Sequence, residues 1–203
     1  MRTKITMALG SVVMVALASM ASGSPQDKPL PPTHPAVEAP DVEPVERAAA
    51  NMDDVASPGA VVQAYYDSIS GPKGQARDWG RFLSLFADDA RFTTVRKVDG
   101  KVIPITMTPR EYVAANRRYF ERGGYFETEI NDDHDLFAGI AQTFSTYESR
   151  RSLDDPRPYA RGINSFQLIR AGGRWWIVSV IWDTEHPGSR EIPKAYLPDT
   201  SSD

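Results

Sequence analysis

The chain has 203 residues, 41% of them hydrophobic and 25% charged, which suffices for one domain of ordinary size with an extension. The formal net charge is −4 and no basic stripe runs along the sequence, which argues against nucleic acid as a partner. Cysteine is absent, so a thiolate nucleophile, a thiolate metal site and lipid attachment through cysteine are excluded.

The first residues, Met1-Arg2-Thr3-Lys4, are basic, and an apolar run from Ile5 to Ala18 leads into the small residues Ser19-Met20-Ala21-Ser22-Gly23. This is the layout of a secretory signal peptide over 1–23, with cleavage expected after Ala21 or Gly23. The run is shorter than the roughly 20 residues that span a bilayer. The expected mature protein is soluble, periplasmic or secreted, with no membrane association once the leader is gone. Residues 24–57 then hold seven of the 16 prolines, and seven acids against Lys28 and Arg47. Such a stretch buries too little surface to offset its chain entropy, so a disordered acidic tether is expected, briefly helical at 45–50.

Folded chain is expected over 58–185. Ser57-Pro58 is a cap and first-turn pair, and Val61, Val62, Tyr65, Tyr66 and Ile69 recur at helical spacing until Gly71-Pro72, which predicts a helix over Pro58–Ile69. Asp78 caps a second, short helix carrying Trp79, Phe82, Leu83 and Phe86. Residues 85–90 turn into a strand at 91–98, which Asp99-Gly100 returns as 101–107. Thr108-Pro109-Arg110-Glu111 is a capping box that opens a third helix, with Tyr112, Val113, Asn116, Tyr119 and Phe120, ended by Gly123-Gly124. Beyond it only strands are predicted, at 126–137, 140–150, 160–170 and 174–183. Two connections are tight, at Ala138-Gly139 and Gly172-Gly173, and one is a longer proline-containing loop at 152–158. A tail, 186–203, runs over the surface. Helices first and a strand meander last is an α+β order, with three helices covering the concave side of a curved antiparallel sheet.

The last hairpin is apolar on both faces. A two-residue turn at Gly172-Gly173 places Ile163 opposite Trp182, Ser165 opposite Val180, Gln167 opposite Val178 and Ile169 opposite Trp176. The other face carries Asn164, Phe166 and Leu168 against Ile181, Ser179 and Ile177. A sheet with one face in water alternates apolar with polar, so this hairpin must be covered twice.

The order of elements resembles the nuclear transport factor 2-like superfamily, which includes ketosteroid isomerases and SnoaL-type polyketide cyclases. The resemblance rests on Val61-Val62-Gln63-Ala64-Tyr65-Tyr66, on Leu85-Phe86-Ala87-Asp88-Asp89-Ala90 and on Gly173-Arg174-Trp175-Trp176-Ile177. It covers about 57–185 and implies a cone-shaped fold that serves enzymes, ligand carriers and assembly modules alike. Of the isomerase's catalytic positions, the oxyanion-donating tyrosine falls on Tyr65, but the general base falls on Thr94 and the protonated aspartate on Ser165. A threonine at neutral pH does not take a proton from a carbon acid, which argues against isomerisation by that route.

If Ser165 lines the cone, then Gln167, Trp176, Val178, Val180 and Trp182 do so as well, and with Tyr65 they form the expected ligand-binding set. Trp176 and Trp182 supply an aromatic wall for a small apolar ligand. The opposite face, with Phe166, Leu168, Trp175, Ile177 and Ile181, then needs a second subunit as cover, so a homodimer is expected.

Asp132-Asp133-His134-Asp135 has the residue types of a metal cluster, but neighbours on a strand point to opposite sides, and His34, His134 and His186 lie far apart in sequence; no metal and no cofactor are expected. Glu148, Asp183 and His134 are the remaining candidates for acid–base chemistry, against the plainer reading of exposed ion pairs. Three readings follow: a non-catalytic pocket for a small hydrophobic molecule, a cofactor-free isomerase, dehydratase or cyclase, and a dimeric interaction module. An inward carboxylate of raised pKa favours the second, a dry empty cavity the first, and a cone filled by side chains the third.

Overall fold

A computed structural model describes residues 44–98, 101–186 and 190–198. The expected leader, residues 24–43 of the expected tether with His34, and the Asp99-Gly100 turn lie outside them. Among the described residues there are three α-helices, α1 (Pro58–Ile69), α2 (Trp79–Ser84) and α3 (Pro109–Gly123). There are six strands, β1 (Phe86–Val98), β2 (Lys101–Met107), β3 (Phe126–Phe137), β4 (Ile140–Arg150), β5 (Ala160–Ala171) and β6 (Arg174–Thr184). No described helix is long and apolar enough to cross a membrane.

Each helix starts where its cap sits in the sequence. Ser57 Oγ accepts from the Ala60 amide at 3.1 Å, and Asp78 Oδ1 accepts from the Arg81 amide at 2.8 Å. At α3 the box is reciprocal: Thr108 Oγ1 accepts from the Glu111 amide at 3.2 Å while the Thr108 amide donates to the Glu111 carboxylate at 2.7 Å. Gly124 stops α3 with φ +70°, a conformation that costs glycine little.

The strands form one curved sheet in the order β2-β1-β6-β5-β4-β3. All neighbours are antiparallel except β1 and β6, which run parallel with Phe92 beside Val180 and Thr94 beside Trp182. The expectation of an antiparallel sheet is corrected at that one pair, which joins segments some ninety residues apart and leaves no local trace in the sequence. β1 also begins earlier than expected. Phe86 pairs with Ile177 before an irregular stretch, and regular pairing resumes at Arg91.

The chain preceding α1 is anchored at several points from Val45 onward, although most of its residues are exposed. Asp53–Val55 form a 3-10 turn in which Val55 is buried, and Asp54 holds both Nε and Nη2 of Arg81, at 2.7 and 2.9 Å. The Ala48 amide donates to Gly80 O, and Arg110 reaches Val45 O. Residues 45–50 have no helix, so both the brief helix and the tether boundary at 57 are corrected. Acid-rich composition suggested solvation, whereas Val55 and one bidentate ion pair fix the segment.

A buried arginine ties the helix ends together. Arg77, 7% exposed, donates to the carbonyls of Ile69 at the end of α1, of Gly71, Pro72 and Gln75 in the loop, and of Phe120 near the end of α3. A cation at helix C-termini satisfies carbonyls that have no partner within the helix.

The core lies between the helices and one face of the sheet and is dominated by rings. Phe92 stacks on Tyr112 at 4.4 Å, Tyr65 meets Phe166 edge-on at 5.1 Å, and Phe120 stacks on Tyr125 at 3.9 Å.

Candidate functional site

The register of the last hairpin decides what faces the helices. Ile169 opposes Trp176, as the turn predicts, but an extra residue at Val178 makes Gln167 oppose Ser179, and every later pair is displaced by one. This is a β-bulge. Phe166 now pairs with Val180 and Asn164 with Trp182, so the helix-covered face of the hairpin carries Asn164, Phe166, Leu168, Trp175, Ile177, Val180 and Trp182. Ser165, Gln167, Trp176 and Val178 belong to the outer face.

The expected ligand-binding set is therefore divided. Tyr65, Val180 and Trp182 lie on the helix side, where Trp182 packs against Phe92 at 6.1 Å and Tyr112 at 6.2 Å. Tyr65 is buried among Tyr66, Phe82, Phe86, Phe92 and Phe166, and burial raises its pKa well above that of a free phenol. Trp176 lies under Arg174, whose guanidinium carbon is 3.6 Å from the ring centroid, and its indole N–H donates to Ala171 O at 3.1 Å. Thr94, at the place of the isomerase's base, donates to Trp182 O at 3.0 Å.

The expected acid–base candidates do not converge. Glu148 is paired with Arg150 at 2.7 Å, Asp183 with Arg190 at 2.8 Å, and exposed His134 with Asp132 at 2.9 Å. The alternation read for 132–135 holds: Asp132 and His134 share one side, Asp133 and Asp135 the other. Among the described residues no three His, Cys, Asp or Glu side chains are placed to hold a metal.

Sequence reasoning passed over one carboxylate. Glu127 of β3 is 7% exposed and faces the helices. Its Oε2 accepts from Tyr125 OH and from Ser149 Oγ at 3.2 Å, and its Oε1 accepts from Asn164 Nδ2 at 3.2 Å. The same Asn164 nitrogen donates to Tyr66 OH at 3.0 Å; that hydroxyl is 2.7 Å from Ser145 Oγ, which in turn donates to Glu129. Burial pushes the Glu127 carboxyl up to about 7, with the three donors pulling the other way, and burial also raises Glu129. Its partners come from the residue preceding β3, from β4 and from β5, with Tyr66 of α1 one bond further on. The only local signal is strand parity: Glu127 opposes Ser149, on the side of Ser145 and Tyr147.

Two clefts built by described residues lie on the outer face. The more apolar one, about 490 Å³, is walled by Leu136, Phe137, Ile140, Ile169 and Val178 with Gln167 among them. Its neighbour, about 290 Å³, lies beside the C-terminal segment, where Thr146 Oγ1 donates to Tyr196 O at 2.6 Å and the Tyr196 ring meets Phe144 at 5.0 Å. That segment covers part of the outer face in cis, with Ile192 buried. Phe166, Leu168, Trp175 and Ile177, expected to lie against a second subunit, lie instead under the helices, and of that set only Ile181 is on the outer face.

Two leading helices, the β1–β2 hairpin, a third helix and the four-strand meander in this sheet order define a nuclear transport factor 2-like fold. No protein-family model matches the sequence, and no curated protein matches it. The chain is similar in structure to an uncharacterised protein with a cystatin-like fold from Caulobacter vibrioides (17% identical, covering 64% of this chain and 87% of that one, TM-score 0.47). It is similar to a protein of unknown function with a cystatin-like fold from Nostoc punctiforme (14% identical, 68% and 89% covered, TM-score 0.46). It is also similar to a nuclear transport factor 2-like protein of unknown function from Shewanella baltica (17% identical, 62% and 89% covered, TM-score 0.43).

Proposed function

We propose that the protein is an exported, non-catalytic interaction module that pairs with a second copy of itself through the outer face of its sheet. One observation carries this reading. That face leaves Phe137 77%, Ile140 60% and Ile181 51% exposed, with Ile169 paired to Ile140, while the helix side is filled with rings. Each such side chain gains roughly 1.5–3 kcal/mol when buried, and a patch of this extent on a lone chain is a contact surface in waiting. A two-fold arrangement buries the same patch on both copies. The reading of an apolar guest inside the cone has less support, because Tyr65, Val180 and Trp182 are already occupied by one another's neighbours. Export rests on the leader.

The test is the mass of the full mature chain by light scattering at micromolar concentration. The wild type runs as a dimer and Ile181→Arg as a folded monomer with an unchanged circular-dichroism spectrum; a monomeric wild type overturns the proposal.

Glu127 favours a second reading, a cofactor-free acid–base enzyme. Its carboxyl is poised near neutrality and hydrogen-bonded by a tyrosine and an asparagine, the groups such chemistry uses.

A further inference from the structure

We infer that the smaller outer-face cleft, between the β3 edge and the C-terminal segment, is a binding site for a compact organic cation of the methylated-ammonium type. The strand register sets up its floor. Asp133 opposes Phe144, Asp135 opposes Gln142, and Phe144 in turn opposes Ser165, so these five side chains stand in adjoining rows on one face. Tyr196 closes the cleft from the C-terminal segment and is held there by the Thr146 hydrogen bond. The Phe144 and Tyr196 rings are inclined at 60° with centroids 5.0 Å apart, which makes a corner of two π surfaces.

The chemistry of this corner selects the ligand. Aromatic rings attract a cation through the negative potential of their faces, and do so best for a weakly hydrated one whose methyl groups also bury apolar area. Two carboxylates on the rim add attraction for positive charge and repel anions. No lysine or arginine is among the described residues that line the cleft to cancel them. Gln142 donates to Asp135 at 3.0 Å, which fixes that carboxylate, and Ser165 offers a hydroxyl to orient a polar end of the ligand. The volume, about 290 Å³, suits a small molecule rather than a peptide. Of the apolar residues through which association is proposed, only Ile181 neighbours this cleft, as the cross-strand partner of Ser165; Phe137, Ile140 and Ile169 do not line it.

Choline is the probe, and 3,3-dimethylbutan-1-ol, its uncharged isostere, is the control. Titration of the full mature chain, followed by amide chemical shifts and by calorimetry, is expected to give saturable choline binding with shifts at Ser165, Gln142 and Phe144. The isostere binds about tenfold or more weakly. Tyr196→Ala and Asp133→Asn each weaken choline by a similar factor, Tyr196→Phe retains it, and Glu148→Gln, which removes an acid elsewhere, leaves it unchanged. Ile169→Arg, which lies in the association patch and does not line this cleft, is tested in parallel and also binds choline, so failure of association and failure of this site are read separately. Absence of saturable shifts, equal binding of the isostere, or equal loss in Glu148→Gln overturns the inference.

Discussion

The two faces of this sheet come from the same alternating strands, yet they carry different kinds of order. On the helix side, rings from α1, α2, α3, β1 and β5 fit against one another, and buried polar groups are hydrogen-bonded, most extensively in the network around Glu127. On the outer side, apolar residues stand beside Gln142, Gln167 and Ser165, clefts remain open, and the C-terminal segment covers only part of the area. The difference teaches that apolar character alone does not say which face is core. Ile181 and Val180 are adjacent and chemically alike, and one is half in water while the other is fully buried.

Substitution is the direct way to break that contrast. Phe166→Ala, on the helix side, removes a fully buried ring and is expected to cost about 3–5 kcal/mol in urea unfolding. Arg77→Ala comes next, at about 3 kcal/mol, because several carbonyls at two helix ends lose a charged donor at once. Arg77→Lys does not restore it, since one ammonium lacks the fork that spans α1, the loop and α3.

Glu127 sharpens the contrast through pH. Its folded pKa, about 7, lies above the ordinary value of 4.5. Below pH 4.5 both states are protonated and the carboxylate imposes no penalty. As pH rises towards 7 the unfolded chain gives up its proton first, so the fold loses stability, and the loss is complete above about 7. The stability difference between Glu127→Gln and wild type therefore grows in the variant's favour by about 3 kcal/mol from pH 4.5 to pH 8. A glutamine sacrifices one of the three accepted hydrogen bonds, but that cost is the same at every pH. A flat difference would show that the carboxyl is hydrated. The smallest effect is expected on the outer face, where Ile181→Arg changes the stability of a monomer by under about 0.5 kcal/mol.

What could be read in the sequence was local. The caps at Ser57, Asp78 and Thr108 and the turns at Ala138-Gly139 and Gly172-Gly173 are short-range chemistry, and the helices and strands fell where these signals put them. The pairing of β1 with β6, the bulge at Val178 and the anchoring of Val55 are settled by packing between distant segments. The candidate site suffered most, because Ser165 was taken to line the cone when it faces outward, and because alternation then reverses beyond the residue inserted at Val178. Glu127 could not be singled out while Ser149 and Asn164 were unassigned neighbours from other strands.

The bulge has a practical bearing on how this chain is compared with others of its fold. An ungapped alignment with a strand that lacks this bulge matches each position from Ser179 to Thr184 to a residue pointing the opposite way. Any role transferred across that stretch lands on the wrong side of the molecule. A single gap at Val178 restores the correspondence, and it is the first adjustment to make before motifs in β6 are interpreted.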